Sequence, residues 1–538
     1  KLDRLIQGVC SLSNSGFSTN IKNMQPIQIL WVDDEVDLLK PHFIFLESKG
    51  YQAHACTNGQ EAIELVNAQH FDVILLDKNM PGLNGLETLS ILKTQHPNLP
   101  LVMATKNEEE RIMEDAIGSK ISDYLIKPVN PHQILLSLKK ILNQKNLVAE
   151  KTTQSYQQEF RKISQSLMDL DSYDDWIEYF KKLMYWELEL ETLEDKSLFE
   201  IFETQMKEAN SQFAKFISSN YTRWIQDNAG PTLSHKVFQK HVVPELRENK
   251  PTLLILIDNL RFDQWKTIEP EIRNNYTIEQ EHTCFSILPT ATQYARNAFF
   301  SGLTPLEIQK KFPKWWKNDT EEGGKNLYEK ELLEAQCERL NFKRPISYHK
   351  ITQLQHSQQL IKNLQNHTHE GLTAVVYNFV DMISHAKTEM EVIKELAPDN
   401  KAYRSITLSW YRNSPLKELL KKAASLGFKV LLTTDHGTIN VGHPSAVMGD
   451  RETSLNLRYK TGKSLTYDPK DVLECKDPKD FHLPAVSINS PYIFAEEDYY
   501  FVYKNNYNHF VNFFKNTFQH GGVSMEEMII PFVVLSPR

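Results

Sequence analysis

The chain has 538 residues, 41% of them apolar, and a formal net charge of −8 at pH 7, which predicts two to four globular domains and gives no general reason to expect duplex nucleic acid as a partner. Its five cysteines lie far apart with no C-x-x-C pair, a usage typical of a reducing compartment. Because no apolar run reaches the roughly 18 residues that a membrane helix needs, we expect a soluble, cytoplasmic protein without membrane insertion.

The first 23 residues are rich in Ser and Asn and lack the apolar centre of a signal peptide. Met24 directly precedes the Gln-Pro dipeptide that opens the first strand-like run. We therefore expect residues 1–23 to be a non-native or disordered leader, and the native protein to begin at Met24.

Residues 25–145 alternate short apolar runs with helical stretches, which is the pattern of a doubly wound parallel sheet. Four of the predicted strands end in polar side chains, in the order Asp33-Asp34, Asp77, Thr105 and Lys127. A single carboxylate at a strand end is common. The ordered set D-D…D-x-x-M-P-G…T…K-P is far more specific than any one of these residues. It predicts that the whole segment is a single functional domain.

This segment resembles a response-regulator receiver domain, a flavodoxin-like fold, over its whole length. The resemblance implies that Asp77 accepts a phosphoryl group from a sensor histidine kinase, and that Asp33, Asp34 and Asp77, with the backbone carbonyl of Asn79, bind the Mg²⁺ needed for that transfer. Thr105 and Lys127 would each pair with a phosphoryl oxygen, Lys127 preceding a proline whose peptide bond can be cis. Tyr124 would be the aromatic side chain that rotates on activation.

Residues 146–243 differ in character, since Gly is nearly absent and charges are dense. Aromatic residues recur at helical spacing, as in Trp176 to Phe180 and Phe213 to Phe216. The pattern predicts a helical bundle that links two α/β units, with Pro231 between two of its helices. The aromatic stripe is then the core of the bundle or, alternatively, a face for docking a partner.

In residues 244–538, strand-like apolar runs end in groups that can bind metals. One run ends in Asp258, another in Asp435-His436, and a third continues into Asp381 and His385, whose spacing places both on one face of a helix. Two more segments carry Pro289-Thr-Ala-Thr292 and His520-Gly-Gly. Each of these segments, taken alone, can also be explained by a structural role; a threonine, for example, can cap a helix. Together, the five segments predict a shared site for divalent cations.

This ordered set resembles the alkaline phosphatase superfamily, and within it the nucleotide pyrophosphatase/phosphodiesterase and PglZ-type domains. The resemblance implies an α/β fold that holds two zinc ions and uses Thr292 as the nucleophile. Its implied ligands are Asp381, His385 and His520 for one zinc, and Asp258, Thr292, Asp435 and His436 for the other.

The chemistry of these residue types suits that reading. A threonine hydroxyl is a poor nucleophile until a divalent cation makes its alkoxide accessible, and two cations roughly 4 Å apart can clamp both oxygens of an in-line phosphoryl transfer. Asp and His ligands without Cys favour zinc, with manganese second. A phosphothreonine would form and then be hydrolysed. The P-T-x-T segment resembles diesterases, but it leaves monoester hydrolysis open.

Two further residues are candidates for substrate contact: His443, a loop histidine, and Arg261, which follows Asp258 closely and has a surface cation as its alternative reading. We also expect two insertions in this domain, Lys310 to about Lys350 and Val441 to about Leu483. Insertions of this kind commonly decide which substrate an enzyme takes.

A receiver, a helical linker and a PglZ-type domain in this order resemble the PorX-type response regulators linked to type IX secretion and gliding in Bacteroidetes. The resemblance implies a phosphorylation-promoted homodimer that hydrolyses linear or cyclic oligonucleotides, and contact with a secretion component and an ECF sigma factor. Two functions compete: a hydrolase controlled by phosphorylation of Asp77, and a signalling scaffold whose metal site is structural or vestigial. The complete ligand set with Thr292 favours the hydrolase.

Overall fold

The computed structural model describes residues 27–105, 121–193, 197–227, 229–248, 250–390, 394–395, 397–450, 453–487 and 490–538. The leader expected at residues 1–23 lies outside this part of the chain. The chain divides into two compact units, Lys1–Glu159 and Phe160–Arg538. None of the described helices is long and apolar enough to cross a membrane.

The first unit is built on a five-stranded parallel sheet. Its strands are β1 Ile27–Val32, β2 Tyr51–Cys56, β3 Val73–Asp77, β4 Leu101–Thr105 and β5 Asp123–Ile126. Its described helices are α1 Lys40–Ser48, α2 Gly59–Ala68, α3 Gly85–Gln95 and the first part of α4 Pro131–Ser166.

The strand order is β2-β1-β3-β4-β5, the order of flavodoxin-like doubly wound sheets. The central strands β3 and β4 are buried along their whole length, because helices cover both faces of the sheet. Separate apolar clusters form on the two faces. Strand β2 was not among the sequence predictions, since it is a half-exposed edge strand without a continuous apolar run.

The second unit contains a six-stranded mixed sheet and three small sheets. The strands are β6 Thr252–Ile257, β7 Tyr276–Phe285, β8 Ile346–Ile351, β9 Leu372–Tyr377, β10 Lys429–Thr433, β11 Ile439–Asn440, β12 His443–Val447, β13 Tyr459–Thr461, β14 Val472–Cys475, β15 Tyr492–Ala495, β16 Tyr499–Tyr503, β17 Phe518–Gln519 and β18 Ile529–Pro537. The large sheet has the order β7-β18-β10-β6-β9-β8. Only β18 runs antiparallel to its neighbours.

The described part of this unit also contains longer helices. They are α5 Tyr173–Leu190, α6 Ser197–Asp227, α7 Phe262–Ile272, α8 Thr292–Ser301, α9 Pro305–Lys311, α10 Glu329–Arg339, α11 Leu354–Asn363, α12 Phe379–Glu389, α13 Asn400–Asn413, α14 Pro415–Ser425 and α15 Tyr507–Phe514. Shorter helical turns include Ser234–Val237 and Met525–Met528. The α/β fold class predicted from the sequence is confirmed.

The aromatic stripe predicted in the linker is buried in this second unit. Trp176 of α5 packs on Phe213 of α6, with ring centroids 5.2 Å apart, and Phe213 also meets Phe285 of β7. Helices α5 and α6 therefore share their core with the large sheet.

The two expected insertions have different outcomes. The segment from Lys310 to Lys350 is not simply an insertion, because it ends in β8, an edge strand of the large sheet. Its half-buried, polar sequence concealed that role. The segment from Val441 to Leu483 forms β12, β13 and β14, which pair with β15 and β16 in two of the small sheets.

Candidate metal centre and phosphoryl-acceptor site

Three neighbouring parallel strands deliver the candidate ligands of the large unit to one edge. Asp258 directly follows β6, and Asp435 and His436 follow β10. Strand β9 leads into α12, whose first turn carries Asp381. Since the carboxyl ends of parallel strands meet at one edge of the sheet, ligands separated by long stretches of sequence come together here.

The first group of ligands is Asp258, Asp435 and His436, all fully buried. Each offers one atom within 4.8 Å of the other two. Thr292, the first residue of α8, reaches the same place: its Oγ1 lies 3.1 Å from His436 Nε2 and 3.3 Å from Asp258 Oδ1. The four residues expected to share one metal ion thus lie in mutual contact.

The second group is Asp381, His385 and His520, which also satisfy the 4.8 Å limit. Asp381 and His385 lie one turn apart on α12, and the imidazole of His385 is 66% exposed. The rings of His436 and His520 stack with their centroids 4.3 Å apart. The two groups therefore adjoin, and His385 forms their solvent-facing side.

Backbone carbonyls orient two of the histidines for metal binding. The Nδ1 of His436 lies 3.0 Å from the carbonyl of Gly437, and that of His520 lies 3.1 Å from the carbonyl of Thr290. Because a carbonyl can only accept, each Nδ1 carries the proton and donates it. The Nε2 lone pair of each ring is then left for a metal ion, as is usual for ligating histidines.

The charges of the metal-free site are poorly compensated. Burial, followed by repulsion from Asp258, raises the pKa of both Asp381 and Asp435 to about 6. Burial and the neighbouring His436 and His385 lower the pKa of His520 well below its usual value. Among the described residues, Asp381 Oδ1 and Asp435 Oδ2 are buried without any hydrogen-bond partner. Carboxylate oxygens without a hydrogen-bond partner, beside imidazole nitrogens, fit a pair of divalent cations.

An arginine not predicted from the sequence stands behind the first group. Arg296, one turn after Thr292 on α8, is 2% exposed, and its Nη1 lies 2.8 Å from Asp258 Oδ2. Its Nε lies 2.6 Å from Glu329 Oε1, and Glu329 in turn accepts from Tyr348 and Lys350. Only its i+4 spacing from Thr292 could have singled Arg296 out, while the tertiary contact of Glu329 leaves no local signal.

Glycines permit the close backbone approaches around the site. Gly521, which follows His520, has a φ of +123°, a conformation that side-chain-bearing residues rarely adopt. A Cβ on Gly437, which follows His436, would lie 2.0 Å from the carbonyl oxygen of Glu526. The glycines of the D-H-G and H-G-G patterns are thus explained by packing and backbone conformation.

The structure corrects one of the two candidate substrate contacts. Arg261 is 2% exposed, and all three of its guanidinium nitrogens are hydrogen-bonded, two to Asp263 and one to Asn400. It is a structural cation, because its head group is buried and each of its three nitrogens already donates to a neighbouring side chain. His443 has an exposed ring paired with Asp498 through Nδ1 at 2.6 Å, and its role stays a prediction.

The receiver has its own acidic group, Asp33, Asp34 and Asp77, whose oxygens approach within 4.8 Å of one another. Lys127 Nζ lies 2.9 Å from Asp33 and 2.8 Å from Asp77. Burial would lower the pKa of Lys127, but the hydrogen bonds of Lys127 to Asp77 and Asp33 raise that pKa above its usual value. Burial raises the pKa of Asp77 against the opposing effect of Lys127.

Two of the remaining receiver residues, Thr105 and Asn79, lie at the same edge of the sheet, whereas Tyr124 lies within β5 opposite Met103. Thr105 is the last residue of β4 and is buried. Tyr124 lies on β5 and packs against one apolar cluster. Asn79 lies in the loop after Asp77, and the Lys127-Pro128 peptide bond is cis.

Three sequence families match the chain. The response regulator receiver domain matches residues 29–139, the PorX response regulator linker domain matches residues 146–225, and the BREX system PglZ alkaline phosphatase-like domain matches residues 237–535. The receiver is thus followed by a phosphatase-like output domain that belongs to a phosphoesterase superfamily.

Several individual proteins are similar to the receiver. The transcriptional regulatory protein SrrA of Staphylococcus aureus is 33% identical over 115 residues, which are 21% of this chain and 47% of SrrA, so the chain spans about half the length of that relative. Solved structures include the chemotaxis response regulator CheY4 of Vibrio cholerae, at 28% identity, and the NtrX receiver domain of Brucella abortus, at 29%. Each covers 21% of this chain and 98% of its own, with a TM-score of 0.20.

The receiver match implies a phosphotransfer partner such as a histidine kinase. The PglZ match extends over more than half of the chain and contains every candidate zinc ligand. The chain is therefore a response regulator that belongs to the family of BREX system PglZ alkaline phosphatase-like domains.

Proposed function

We propose that the output domain is a metal-dependent phosphodiesterase in which Thr292 is the nucleophile. One observation carries this proposal: the Thr292 hydroxyl converges with Asp258 and His436, at the border of a second Asp-His-His group. Two zinc ions bound by these groups would make the hydroxyl reactive and offset the negative charge of the phosphate.

The protein's own residues orient the reaction. Thr292 opens the ten-residue helix α8, so the first backbone amides of that helix are available to phosphate oxygens. Asn326 donates to the Thr292 carbonyl at 3.0 Å and fixes the start of the helix. Thr292 Oγ1 loses its proton and bonds to phosphorus while the P–O bond to the leaving alcohol breaks on the opposite side, and the leaving oxygen takes up a proton. Water then hydrolyses the resulting phosphodiester of Thr292, which releases a phosphate monoester and restores the hydroxyl.

A diester is favoured over a monoester because of how Arg296 is used. A dianionic monoester needs additional positive charge, and an arginine is the usual source. Here Arg296 is already engaged by Asp258 and Glu329. Its guanidinium positions a metal ligand and is not free to hold a further phosphate oxygen.

A segment that joins lysines and aromatic rings supports a single-stranded oligonucleotide as the substrate. Its sequence from Lys310 to Lys317 is K-K-F-P-K-W-W-K. Phe312 and Trp315, both half-buried, stack with centroids 4.5 Å apart, and Trp315 is also near parallel to Tyr328 at 6.3 Å. Stacked rings beside exposed lysines are the usual means of binding single strands.

Two features tie this segment to the nucleophile. Gln293, the neighbour of Thr292, donates to the Lys317 carbonyl at 2.7 Å. Tyr328, at the far end of the ring stack, immediately precedes Glu329 of the site. Bases stacked on Trp315 would therefore be held close to a scissile phosphate.

The nucleophile is tested with Thr292→Ala on a chromogenic diester, bis-p-nitrophenyl phosphate. We expect at least a 100-fold lower kcat with zinc content unchanged, because the other ligands remain. Thr292→Ser keeps a hydroxyl and should retain part of the activity. Equal activity of Thr292→Ala and the unmodified protein would reject the nucleophile, and an inactive unmodified protein with bound metal would favour the scaffold function.

The substrate class is tested with Trp315→Leu. Loss of one stacked base corresponds to about 1–3 kcal/mol, so we expect roughly 5- to 100-fold lower kcat/KM on a short oligoribonucleotide. Hydrolysis of the chromogenic diester, which has no base, should stay within twofold. If both substrates were affected alike, the segment would be supporting the fold and not binding bases.

We further propose that phosphorylation of Asp77 by a histidine kinase controls this activity through homodimerisation, and that the protein acts in type IX secretion together with a secretion component and an ECF sigma factor. The match to the PorX response regulator linker domain supports the pathway. Size measurement before and after acetyl phosphate treatment, paired with diesterase assays, tests the control.

A further inference from the structure

A cavity of about 500 Å³ lies in the second unit, lined by helices α5 and α6 on one side and by residues 399–401 and 439–442 on the other. None of the candidate zinc ligands lines it. Its size is in the range of small-molecule sites.

The cavity is strongly acidic. Eight carboxylates and two lysines line it. Behind its wall, Arg261 and Arg404 are paired with Asp263, and Arg404 also pairs with Glu187 and Glu191 of the lining. This region contains nine acidic groups, which are the eight lining carboxylates and Asp263. It contains only four basic groups, which are the two lysines and the two arginines.

One buried carboxylate in this acidic region lacks a full set of hydrogen-bond partners. Glu187 is 2% exposed; its Oε1 accepts from Asn400 and Arg404, while its Oε2 is buried and accepts no hydrogen bond. A buried carboxylate oxygen that accepts no hydrogen bond, in a region with excess negative charge, destabilises the folded protein. Glu526, also in the lining, is held by Asn210 through Oε2 at 3.0 Å.

The rest of the wall is apolar. Leu190, Phe199, Met206 and Val441 contribute hydrocarbon surface between the carboxylates. A ligand that matches this wall alternates positive charge with methylene groups, and an ammonium group near a phenylalanine ring is further stabilised.

A bare metal ion suits the cavity poorly. Within the described part of the chain, three groups of carboxylates and histidines approach closely enough to share an ion, and no member of those groups lines this cavity. The cavity is also far larger than an ion and its inner ligands require.

We propose that this cavity binds a linear aliphatic polyamine, with one ammonium group attracted by the negative charge of Glu187 and the methylene chain lying along the apolar wall. The other ammonium groups face the carboxylates near the mouth, among them the exposed Glu200 and Glu203. This binding site does not depend on the proposed diesterase activity.

The test is equilibrium dialysis of the full chain against radiolabelled spermidine in 150 mM NaCl. We expect one saturable site per chain. Glu187→Gln keeps the side chain's shape but removes its charge and should weaken binding at least tenfold. Glu203→Gln, at an exposed position, should weaken binding several-fold without affecting folding. Glu334→Gln, an exposed change on α10 outside the cavity lining, is the matched control and should have no effect.

Two further measurements make the result decisive. Spermidine acetylated on both terminal amines should fail to compete, because it lacks the terminal charges. Equal weakening by Glu334→Gln, no saturable binding, or full displacement by MgCl₂ at matched ionic strength would overturn the proposal, since each indicates only diffuse attraction to an acidic surface. If Glu187→Gln does not fold, Glu203→Gln decides: unchanged binding rejects the site.

Discussion

The receiver and the output domain both collect carboxylates at the carboxyl edge of a parallel sheet, but they balance the charge differently. In the receiver, Lys127 pairs directly with Asp33 and Asp77. In the output domain, Arg296 stands behind Asp258 and is itself bound by Glu329, while imidazole rings lie beside carboxylate oxygens that accept no hydrogen bond from the described residues.

The difference separates a transient site from a resident one. A flexible lysine can change partners when Mg²⁺ and a phosphoryl group arrive, since its ammonium is a point charge on a long stem. A buried arginine fixed by two carboxylates cannot move in this way, and it holds a ligand in place for ions that stay. The output site therefore resembles a metal site prepared in advance, and the receiver site a switch.

The largest expected effect in a test of this difference between the two sites comes from Asp77→Asn. We expect a complete loss of phosphoryl transfer from acetyl phosphate, because the amide cannot form the acyl phosphate, and an unchanged zinc content. Phosphate-affinity electrophoresis and metal analysis measure the two properties. Asp123→Asn, which removes a partner of the exposed Lys140, is the control and should accept phosphoryl normally. A labelled Asp77→Asn protein would mean that another residue is the acceptor.

Strand ends were the most predictable part of both sites. Asp258, Asp435 and Asp77 each follow a buried apolar run, so sequence alone placed them at one edge of a sheet. The strands of the two large sheets that are missing from the prediction, β2, β7 and β8, are all edge strands with half-exposed residues. An edge strand buries too little surface to leave a continuous apolar run, and its partner decides its conformation.

Charges behind the ligands were beyond prediction for a different reason. Arg261 stood close to a ligand in sequence and proved structural, whereas Arg296 and Glu329 meet only through the packing of α8 against α10. Whether a cation faces a site or lies behind it depends on side-chain direction in the folded chain. Sequence spacing carries little of that information.

A smaller effect is expected from Glu329→Gln. This substitution should loosen Arg296 while leaving every candidate metal ligand in place. Changes to groups that support metal ligands typically cost 10- to 100-fold in metal affinity or activity. We expect a loss of that size in zinc affinity, measured by competition with a chelator, and a matching loss in diester hydrolysis at limiting zinc. The control Glu334→Gln lies on the same helix in an exposed pair with Lys330. Unchanged zinc affinity in Glu329→Gln would show that Arg296 does not position Asp258.

The smallest expected effect is the pH dependence of stability. In the metal-free protein, the pKa of Asp381 and of Asp435 is about 6, above the value near 4 of an unfolded aspartate. The folded state therefore binds protons more readily between about pH 4 and 6, so these two groups add stability on acidification and remove it as the pH rises.

Zinc should reverse this trend, because it holds both carboxylates ionised and is released as they protonate. We expect the difference in Tm between zinc-loaded and chelator-treated protein to shrink steadily from pH 7 to pH 5, as measured by calorimetry. Asp435→Asn removes one of the two titrating groups and should flatten the pH dependence of the metal-free protein. A constant Tm difference across this range would mean that the two carboxylates are not zinc ligands, and the contrast between a resident and a transient site would fail.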